Sequence, residues 1–380
     1  MTAAAAVAAR LVAAHAREVR ELLGPRGGVA QWPAPPADPD AALAFYRAHV
    51  AGSAPALIAG VTASWPAPAP WTGDDLLRLA GDGAVVAVAA TPDGRADAVR
   101  CVDAATGAPV AWPVGEEGGG ARDGTRLLFL QPSETDLPLA ALLQALADEE
   151  AAAAVGTRPA TVRYAQAQNG SLAGFGALGA GPAPPVPRDL PWATSLFGTG
   201  RPDAVNVWVG GRASVTAWHR DPYENVYVVL GGSKRFALFP PGEGRARLRP
   251  AAQAGGRWVA PEGEGGEWRA VPDGTTVPWS PAPPPPAWAV AGVDPPPLAD
   301  DDGGARHAPP ITLTVPAGTA LYLPAHWWHC VAQEPDSGSS PAVIAVNYWY
   351  DALHGPAWAG MRLADACAGV AAGEEGGESE

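Results

Sequence analysis

The sequence predicts a mainly β protein built on an antiparallel jelly roll, a double-stranded β-helix, with a helical region in front of it. Short runs rich in β-branched and aromatic residues recur through the second half of the chain, separated by turn residues. Helical patterns are concentrated near the N-terminus. Four consecutive strands are predicted at 204–209, 214–219, 225–230 and 234–239, which favours a barrel or a sandwich.

The N-terminal part combines helices with short strands. Apolar residues at helical spacing predict a helix over 2–23, and Gly24-Pro25 ends it. A second helix follows Asp38, a residue type suited to cap it. Further along, the pattern predicts a strand at 56–58, a helix opening near Thr72 and a strand at 85–89.

The second half of the chain alternates strands with Gly- and Pro-rich connections. A helix is predicted at 137–146 with a loop after it, and Gly231-Gly232-Ser233 is predicted to be a compact hairpin turn. The stretch 240–310, with acidic residues at 300–302, is predicted to be a partly disordered insertion. The other predicted elements are strands at 161–166, 311–315, 320–323 and 343–350 and a helix at about 356–370.

These elements predict three regions. Residues 1–135 form a helical and β region that packs on the barrel. Residues 136–360 form the barrel itself, with the insertion at about 242–310. Residues 361–380 contain the end of the last helix and an acidic tail that we expect to be disordered.

Composition argues against several classes of function. The net charge is −14 and no basic face is visible, so we expect no nucleic-acid binding. A basic protein segment suits an acidic chain better as a partner. No apolar run is long enough to cross a bilayer, and the three scattered cysteines form no CxxC pair. We therefore expect a protein of a reducing compartment, cytoplasmic or also nuclear, with no membrane partner.

His219 and Asp221 carry the strongest chemical signal. Two residues apart on a strand, their side chains point to the same face and offer two ligands to a divalent metal. A third ligand is expected from His326 or His329. We prefer His329, because Trp327 and Trp328 before it would fix its direction and exclude water. Two histidines and one carboxylate form the facial triad of non-haem Fe(II) oxygenases.

Lys234 opens the strand after the predicted hairpin. It is either an ordinary edge-strand lysine or a buried ammonium that pairs with a carboxylate of a dicarboxylate co-substrate. Tyr164 and Thr216 could give hydroxyls to the same carboxylate. Asn225 and Asn347 could bind the co-substrate near the metal, and an asparagine inside the apolar run 343–350 needs a partner.

The chain resembles the JmjC family of Fe(II)- and 2-oxoglutarate-dependent oxygenases at motif positions spread along its length. These are segments 91–99 and 202–208 and residues Thr216, His219, Asp221, Asn225, Lys234, His329, Asn347, Tyr348 and Trp349. The resemblance implies a cupin-like JmjC barrel. It also implies Fe(II) bound by the two histidines and Asp221, with 2-oxoglutarate and O2 as co-substrates and Lys234, Tyr164 and Thr216 holding 2-oxoglutarate.

Function follows from the same resemblance. One branch of the family performs (3S)-lysyl hydroxylation of DRG-family GTPases, which implies a protein lysyl hydroxylase here. A histone demethylase, a histone-tail endopeptidase and a non-catalytic interaction module stay open as alternatives. The family also implies a homodimer through terminal helices. A substrate lysine needs a counter-charge, for which Asp93, Asp97 and Glu224 are candidates unless they are solvated turn acids, and Trp349 is a further candidate for substrate binding.

Overall fold

The computed structural model describes residues 3–22, 29–112, 123–263, 266–290, 294, 309–336 and 340–372. Within these residues the chain forms seven α-helices: α1 (Ala3–Leu22), α2 (Pro39–Phe45), α3 (Gly73–Ala80), α4 (Leu139–Ala154), α5 (Pro191–Phe197), α6 (Pro241–Leu248) and α7 (Pro356–Ala372). A π-helical segment (Tyr46–Val50) continues α2, and two 3₁₀ helices (Ser171–Gly174 and Gly176–Gly179) precede α5.

The described residues also form seventeen strands. In chain order they are β1 (Ala30–Trp32), β2 (Ala56–Ile58), β3 (Val85–Thr91), β4 (Ala98–Asp103), β5 (Thr125–Gln131), β6 (Ser133–Pro138), β7 (Val162–Ala165), β8 (Ala204–Gly210), β9 (Val215–His219), β10 (Tyr223–Gly231), β11 (Ser233–Phe239), β12 (Ala251–Val259), β13 (Arg269–Trp279), β14 (Ile311–Pro316), β15 (Ala320–Leu323), β16 (Trp328–Glu334) and β17 (Val343–Asp351).

The predicted helix starts in the N-terminal part are confirmed. The Asp38 carboxylate accepts hydrogen bonds from the backbone N–H groups of Asp40 and Ala41 at the start of α2. Thr72 and Asp75 form a capping box at the start of α3, in which each side chain accepts from the other's backbone. Local capping chemistry therefore sets both helix starts.

The barrel consists of eight strands divided equally between two sheets. β8, β10, β15 and β17 belong to a nine-stranded sheet ordered β1-β2-β15-β10-β17-β8-β7-β3-β6. β9, β11, β14 and β16 form a second sheet ordered β14-β11-β16-β9. Successive barrel strands cross from one sheet to the other, except that β11 and β14 pair within the second sheet, and this is the topology of a jelly roll. The predicted fold class is confirmed.

The predicted hairpin at Gly231-Gly232-Ser233 is wrong. β10 pairs with β15 and β17, whereas β11 pairs with β14 and β16, so the two strands that this turn joins are not hydrogen-bonded to each other. Gly232 has φ +66°, a conformation that suits glycine. The turn therefore carries the chain between the two sheets, and its composition alone did not distinguish this from a hairpin.

Apolar side chains fill the barrel and cover its outer faces. The interior cluster draws from both sheets and includes Tyr227, Phe236, Leu238 and Val331. A larger cluster joins the outer face of the nine-stranded sheet to α2, α3, α4 and α5. Buried side chains of both sheets thus form a largely apolar lining of the barrel interior.

The insertion is more ordered than its composition predicts. β12 and β13 pair with each other, and β12 pairs in parallel with β5, giving a third sheet ordered β13-β12-β5-β4. The elements α6, β12 and β13 were not predicted, and for the two strands the reason is that their pairing with each other and with β5 is not visible in local composition. The acidic residues 300–302 lie outside the described residues. The loop predicted after residue 146 is also wrong, because α4 continues to Ala154.

The N-terminal region is continuous with the barrel. β3 and β6 extend the same sheet through β7, so the boundary predicted at residue 135 falls inside a strand of that sheet. α1 packs on α6 and α7. No helix among the described residues has the length and apolar character needed to span a membrane. The acidic tail, residues 373–380, lies outside the described part of the chain.

Candidate metal centre

Three side chains converge at one end of the barrel. His219 is the last residue of β9 and is the register partner of His329 on β16, while Asp221 lies in the connection from β9 to β10. One ligand atom from each residue lies within 4.8 Å of the others. The His329 Nε2 and Asp221 Oδ2 atoms are 3.6 Å apart. The structure thus brings together the three residues predicted from the sequence to be metal ligands.

Hydrogen bonds orient both imidazole rings for coordination. The Nδ1 atom of His219 lies 2.8 Å from the carbonyl oxygen of Ala217, and the Nδ1 atom of His329 lies 3.0 Å from that of Trp327. A carbonyl accepts a hydrogen bond, so each Nδ1 carries the proton and each Nε2 keeps a free lone pair. This tautomer, fixed by a backbone carbonyl, is the usual arrangement of histidine ligands to metals.

The electrostatics of the group also fit a cation. Burial lowers the pKa of His329 well below its ordinary value, so the ring is neutral near pH 7. Burial raises the pKa of Asp221, and the neighbouring His219 opposes this shift. A bound divalent ion would offset the cost of burying the carboxylate and could be coordinated by the neutral ring of His329 and by Nε2 of His219. The residues present therefore fit Fe(II) in ligand type and in the orientation of their rings.

His326 does not join the group. Its backbone has φ +65°, and its N–H donates to the carbonyl of Asp221, so it belongs to the turn before β16. The two tryptophans that follow are anchored separately: the indole of Trp327 donates to the carbonyl of Ser53, and that of Trp328 donates to the carbonyl of Pro241. These two hydrogen bonds hold the segment that precedes His329.

Lys234 lies inside the barrel with its ammonium facing polar partners. It is fully buried, and β11 is a central strand, so it is not an edge-strand lysine. Its Nζ lies 3.0 Å from the hydroxyl oxygen of Tyr164 and 2.7 Å from Oε1 of Gln333. Burial lowers its pKa well below the ordinary value. Among the described residues no carboxylate forms an ion pair with this ammonium, so the site is suited to an incoming anion.

The other proposed co-substrate residues line the same interior. Asn347 accepts a hydrogen bond from the indole of Trp208 at 2.9 Å and donates to Asn225 at 3.2 Å. The buried asparagine thus has the partner that its apolar surroundings require. Thr216 lies opposite Val331 in the pairing of β9 with β16, and Val331 packs in the interior cluster with Tyr164.

Two of the substrate-binding candidates lie near the triad. Asp97 has φ +51° and accepts a hydrogen bond from Gln166 at 3.0 Å. Burial raises its pKa to about 6, and attraction to His219 opposes this shift. Trp349 stacks on Tyr223 with centroids 4.9 Å apart and an interplanar angle of 7°. Tyr223 also lines a small recess with Asp221, so the aromatic pair borders the candidate metal centre.

The other two candidates are engaged elsewhere. Asp93 is buried and forms an ion pair with Arg100, so it is neither a solvated turn acid nor a free counter-charge. Glu224 accepts a hydrogen bond from the hydroxyl of Tyr322 at 2.7 Å, and burial raises its pKa to about 6. It neighbours the inward-facing Asn225 on β10 and therefore faces away from the barrel interior. The sequence could not show the partner of Glu224, because Tyr322 is 98 residues away on a neighbouring strand. The partner of Asp93, Arg100, is close in the sequence but gave no signal of its own.

Three residues at the site were missed. Gln333 pairs with Lys234 across β11 and β16, Trp208 binds Asn347, and Tyr223 stacks on Trp349. Tyr223 could have been found, since it stands two residues after Asp221. Gln333 and Trp208 gave no local signal, because their partners are 99 and 139 residues away.

Comparison with known proteins identifies the class. The family model described as "Cupin-like domain" matches residues 42–355, which include the barrel and the triad. The chain therefore belongs to the cupin-like JmjC family, whose members are generally Fe(II)- and 2-oxoglutarate-dependent oxygenases. This agrees with the fold and the ligand set described above.

Three relatives are similar to the chain over most of its length. The chain is 33% identical over 324 residues to the human bifunctional peptidase and (3S)-lysyl hydroxylase JMJD7, covering 82% of both chains. It is 31% identical over 347 residues to the Arabidopsis thaliana lysine-specific demethylase JMJ32, covering 88% of this chain and 85% of the relative. It is 30% identical over 336 residues to the Dictyostelium discoideum JmjC domain-containing protein E, covering 83% and 82%.

Proposed function

We propose that this protein is an Fe(II)- and 2-oxoglutarate-dependent hydroxylase that acts on a lysine side chain of another protein. One observation carries the proposal: a His219, Asp221 and His329 cluster lies in the same barrel as a fully buried Lys234 that has no carboxylate partner among the described residues. A metal site alone is common, and a buried unpaired ammonium alone is costly. Together they suit a metal and a dicarboxylate co-substrate.

The triad would hold the metal and the interior would hold 2-oxoglutarate. Lys234 and the hydroxyl of Tyr164 are proposed to bind the distal carboxylate, with Thr216 beside them. Asn225 and Asn347, already hydrogen-bonded to each other, are proposed to bind the end nearer the metal. The co-substrate would thus be held at both ends by groups that the folded chain has already positioned.

The metal supplies the redox chemistry when it is bound: it couples oxidation of 2-oxoglutarate by O2 to insertion of one oxygen atom into a substrate C–H bond, leaving succinate and CO2. The protein's own contribution is positioning and exclusion of water. The carbonyls of Ala217 and Trp327 keep both histidines in the coordinating tautomer. Trp327, buried beside the triad, limits access of solvent.

A lysine substrate is supported by the surroundings of the triad and by the human relative's name. Asp97 could provide a counter-charge when ionised, and the stacked rings of Tyr223 and Trp349 offer a face for a cation. The net charge of −14 favours a basic segment as partner. We propose a DRG-family GTPase as the substrate, a cytoplasmic or also nuclear location, and a homodimer through the terminal helices.

Lysine demethylation is the second candidate, because the Arabidopsis relative is named a lysine-specific demethylase. The peptidase activity in the human relative's name is the third. These reactions need the same barrel, and the residues near the triad do not separate them. A non-catalytic role is disfavoured, since the three metal ligands and the buried lysine are all present.

Intact-mass measurement distinguishes the candidates. A lysine peptide from a DRG-family GTPase and its methylated counterpart are each incubated with protein, Fe(II), 2-oxoglutarate and O2. Hydroxylation adds one oxygen atom to the unmodified peptide. Loss of a methyl group from the methylated peptide, with no change in the unmodified one, would replace hydroxylation by demethylation. Two fragments whose masses sum to the peptide plus water would indicate peptide-bond cleavage.

A further inference from the structure

Gln333 lies beside the buried lysine with half of its amide unused. It is 5% exposed, and Lys234 is its register partner on β11. The lysine ammonium can only donate, so the Gln333 oxygen must face it, and the 2.7 Å contact is with Oε1. The Gln333 NH2 group therefore points away from the ammonium. Within the described part of the chain this buried nitrogen has no hydrogen-bond partner.

An anion would satisfy the unused hydrogen-bond donors around Gln333. The ammonium of Lys234 has three N–H donors, and two are directed to Tyr164 and Gln333. One ammonium donor and the Gln333 amide donors are then left next to each other in a buried site. A buried donor without an acceptor is costly. A carboxylate has two oxygens and several lone pairs, so one such group could satisfy both residues at once.

We infer that Gln333 is a second binding residue for the distal carboxylate of the co-substrate, in addition to being the residue that positions Lys234. The inference rests on the proposed use of 2-oxoglutarate. Oε1 holds the ammonium in place, and Nε2 donates to the carboxylate that the ammonium pairs with. Gln333 thereby selects a 2-oxo acid with a second carboxylate over one that ends in a methyl group.

Gly210 allows Gln333 and Tyr164 to pack closely against β8. A Cβ atom at this position would stand 2.6 Å from Gln333 Nε2 and 2.6 Å from Cδ2 of Tyr164. Both contacts are closer than real Cβ atoms approach, so any side chain here would displace the two groups that surround the lysine. The absence of a side chain at Gly210 is therefore what lets the Gln333 amide and the Tyr164 ring lie beside the lysine.

Ligand binding to the Mn(II)-loaded protein tests the inference. Calorimetry would compare 2-oxoglutarate with 2-oxopentanoate, which has the same carbon chain but no distal carboxylate. Wild type should strongly prefer 2-oxoglutarate. Gln333→Leu should weaken the affinity for 2-oxoglutarate by about tenfold, the equivalent of one hydrogen bond to a charged group. The affinity for 2-oxopentanoate should change by less than about twofold. Gln333→Glu should weaken the binding of 2-oxoglutarate further, because the new carboxylate would neutralise Lys234 and repel the ligand.

Turnover adds a second readout. Gln333→Leu should raise the KM for 2-oxoglutarate with kcat largely retained, since the change is far from the triad along β16. If Gln333→Leu lost affinity equally for both ligands, Gln333 would have a general structural role and the inference would be overturned. An unchanged affinity for 2-oxoglutarate would overturn it too. If wild type itself binds no 2-oxoglutarate, the proposed function fails, and the inference fails with it. Melting temperatures of each variant show whether the fold is kept.

Discussion

His219 and His329 are register partners on neighbouring strands, and their ring centroids lie 4.0 Å apart. Two imidazolium ions at this separation would repel each other, and burial already lowers the pKa of His329. Both rings donate through Nδ1 to backbone carbonyls, which leaves each Nε2 free. Each ring therefore presents Nε2 to a metal ion, and Asp221 supplies the negative charge that a divalent cation needs.

Removal of one ligand should abolish metal binding. We expect His329→Ala to weaken Mn(II) affinity by more than about 100-fold, because loss of a direct ligand costs more than loss of a residue that only orients one. Calorimetry or electron paramagnetic resonance of added Mn(II) measures this. The matched control is His326→Asn, since asparagine tolerates the left-handed backbone at that position. Tight binding retained by His329→Ala, or equal losses in the two variants, would rule out this triad.

Replacement of Lys234 should separate stability from co-substrate binding. We expect Lys234→Met to leave the free energy of unfolding of the metal-free protein unchanged or raise it by about 1–4 kcal/mol, since a buried, unpaired ammonium is removed. The sign follows from a pKa lowered in the folded state, which makes the lysine destabilising at neutral pH. The same variant should lose 2-oxoglutarate affinity by about 100-fold or more. Urea denaturation and calorimetry measure the two effects, and unchanged affinity would reject Lys234 as the anchor.

A single methyl group added at Gly210 should disturb the packing beside Lys234. We expect Gly210→Ala to cost about 1–3 kcal/mol in unfolding free energy and to weaken 2-oxoglutarate binding, because the new Cβ collides with Gln333 and Tyr164. Gly211→Ala is the matched control, because a Cβ added there would lie 3.6 Å from its nearest neighbour, Cδ2 of Leu146, which is an ordinary van der Waals distance. Similar behaviour of the two variants would show that the tight packing at Gly210 has no bearing on the co-substrate.

Asp97 should give the metal-free protein a specific pH dependence. Its pKa is raised to about 6 in the folded state by burial, above the unfolded value, so its contribution to stability is full below about pH 4 and is lost as pH rises through 6. Asp97→Asn removes this dependence and tolerates the left-handed backbone. The melting temperature of the variant minus that of wild type should therefore increase from pH 5 to pH 7. A constant difference over that range would contradict the raised pKa.

The same substitution tests substrate recognition. If ionised Asp97 provides the counter-charge for a lysine, Asp97→Asn should raise the KM for a lysine peptide by about tenfold at pH 7.5. The peptide-independent conversion of 2-oxoglutarate to succinate should change little. Peptide titrations followed by succinate release measure both quantities. An unchanged peptide KM would remove Asp97 from the substrate site and leave the Tyr223 and Trp349 pair as the remaining candidate.

The sequence predicted best where local chemistry decides the structure. Asp38 and Thr72 cap helices through neighbouring N–H groups, and the spacing of His219 and Asp221 along the chain already brings them together. The prediction failed where the pairing of distant strands determines the structure. Gly231-Gly232-Ser233 has the composition of a hairpin turn, yet the strands it joins bind other partners. Gln333 stayed hidden because its only informative feature is its contact with Lys234, 99 residues earlier.

Conversion of 2-oxoglutarate to succinate, measured with a lysine peptide from a DRG-family GTPase, tests the central claim most directly. We expect wild-type protein with Fe(II) and O2 to form succinate and to add one oxygen atom to the peptide, and His219→Ala and Asp221→Ala to do neither. Succinate formation that is equal in wild type and both variants, or absent from wild type loaded with Fe(II), would contradict an oxygenase built on His219, Asp221 and His329.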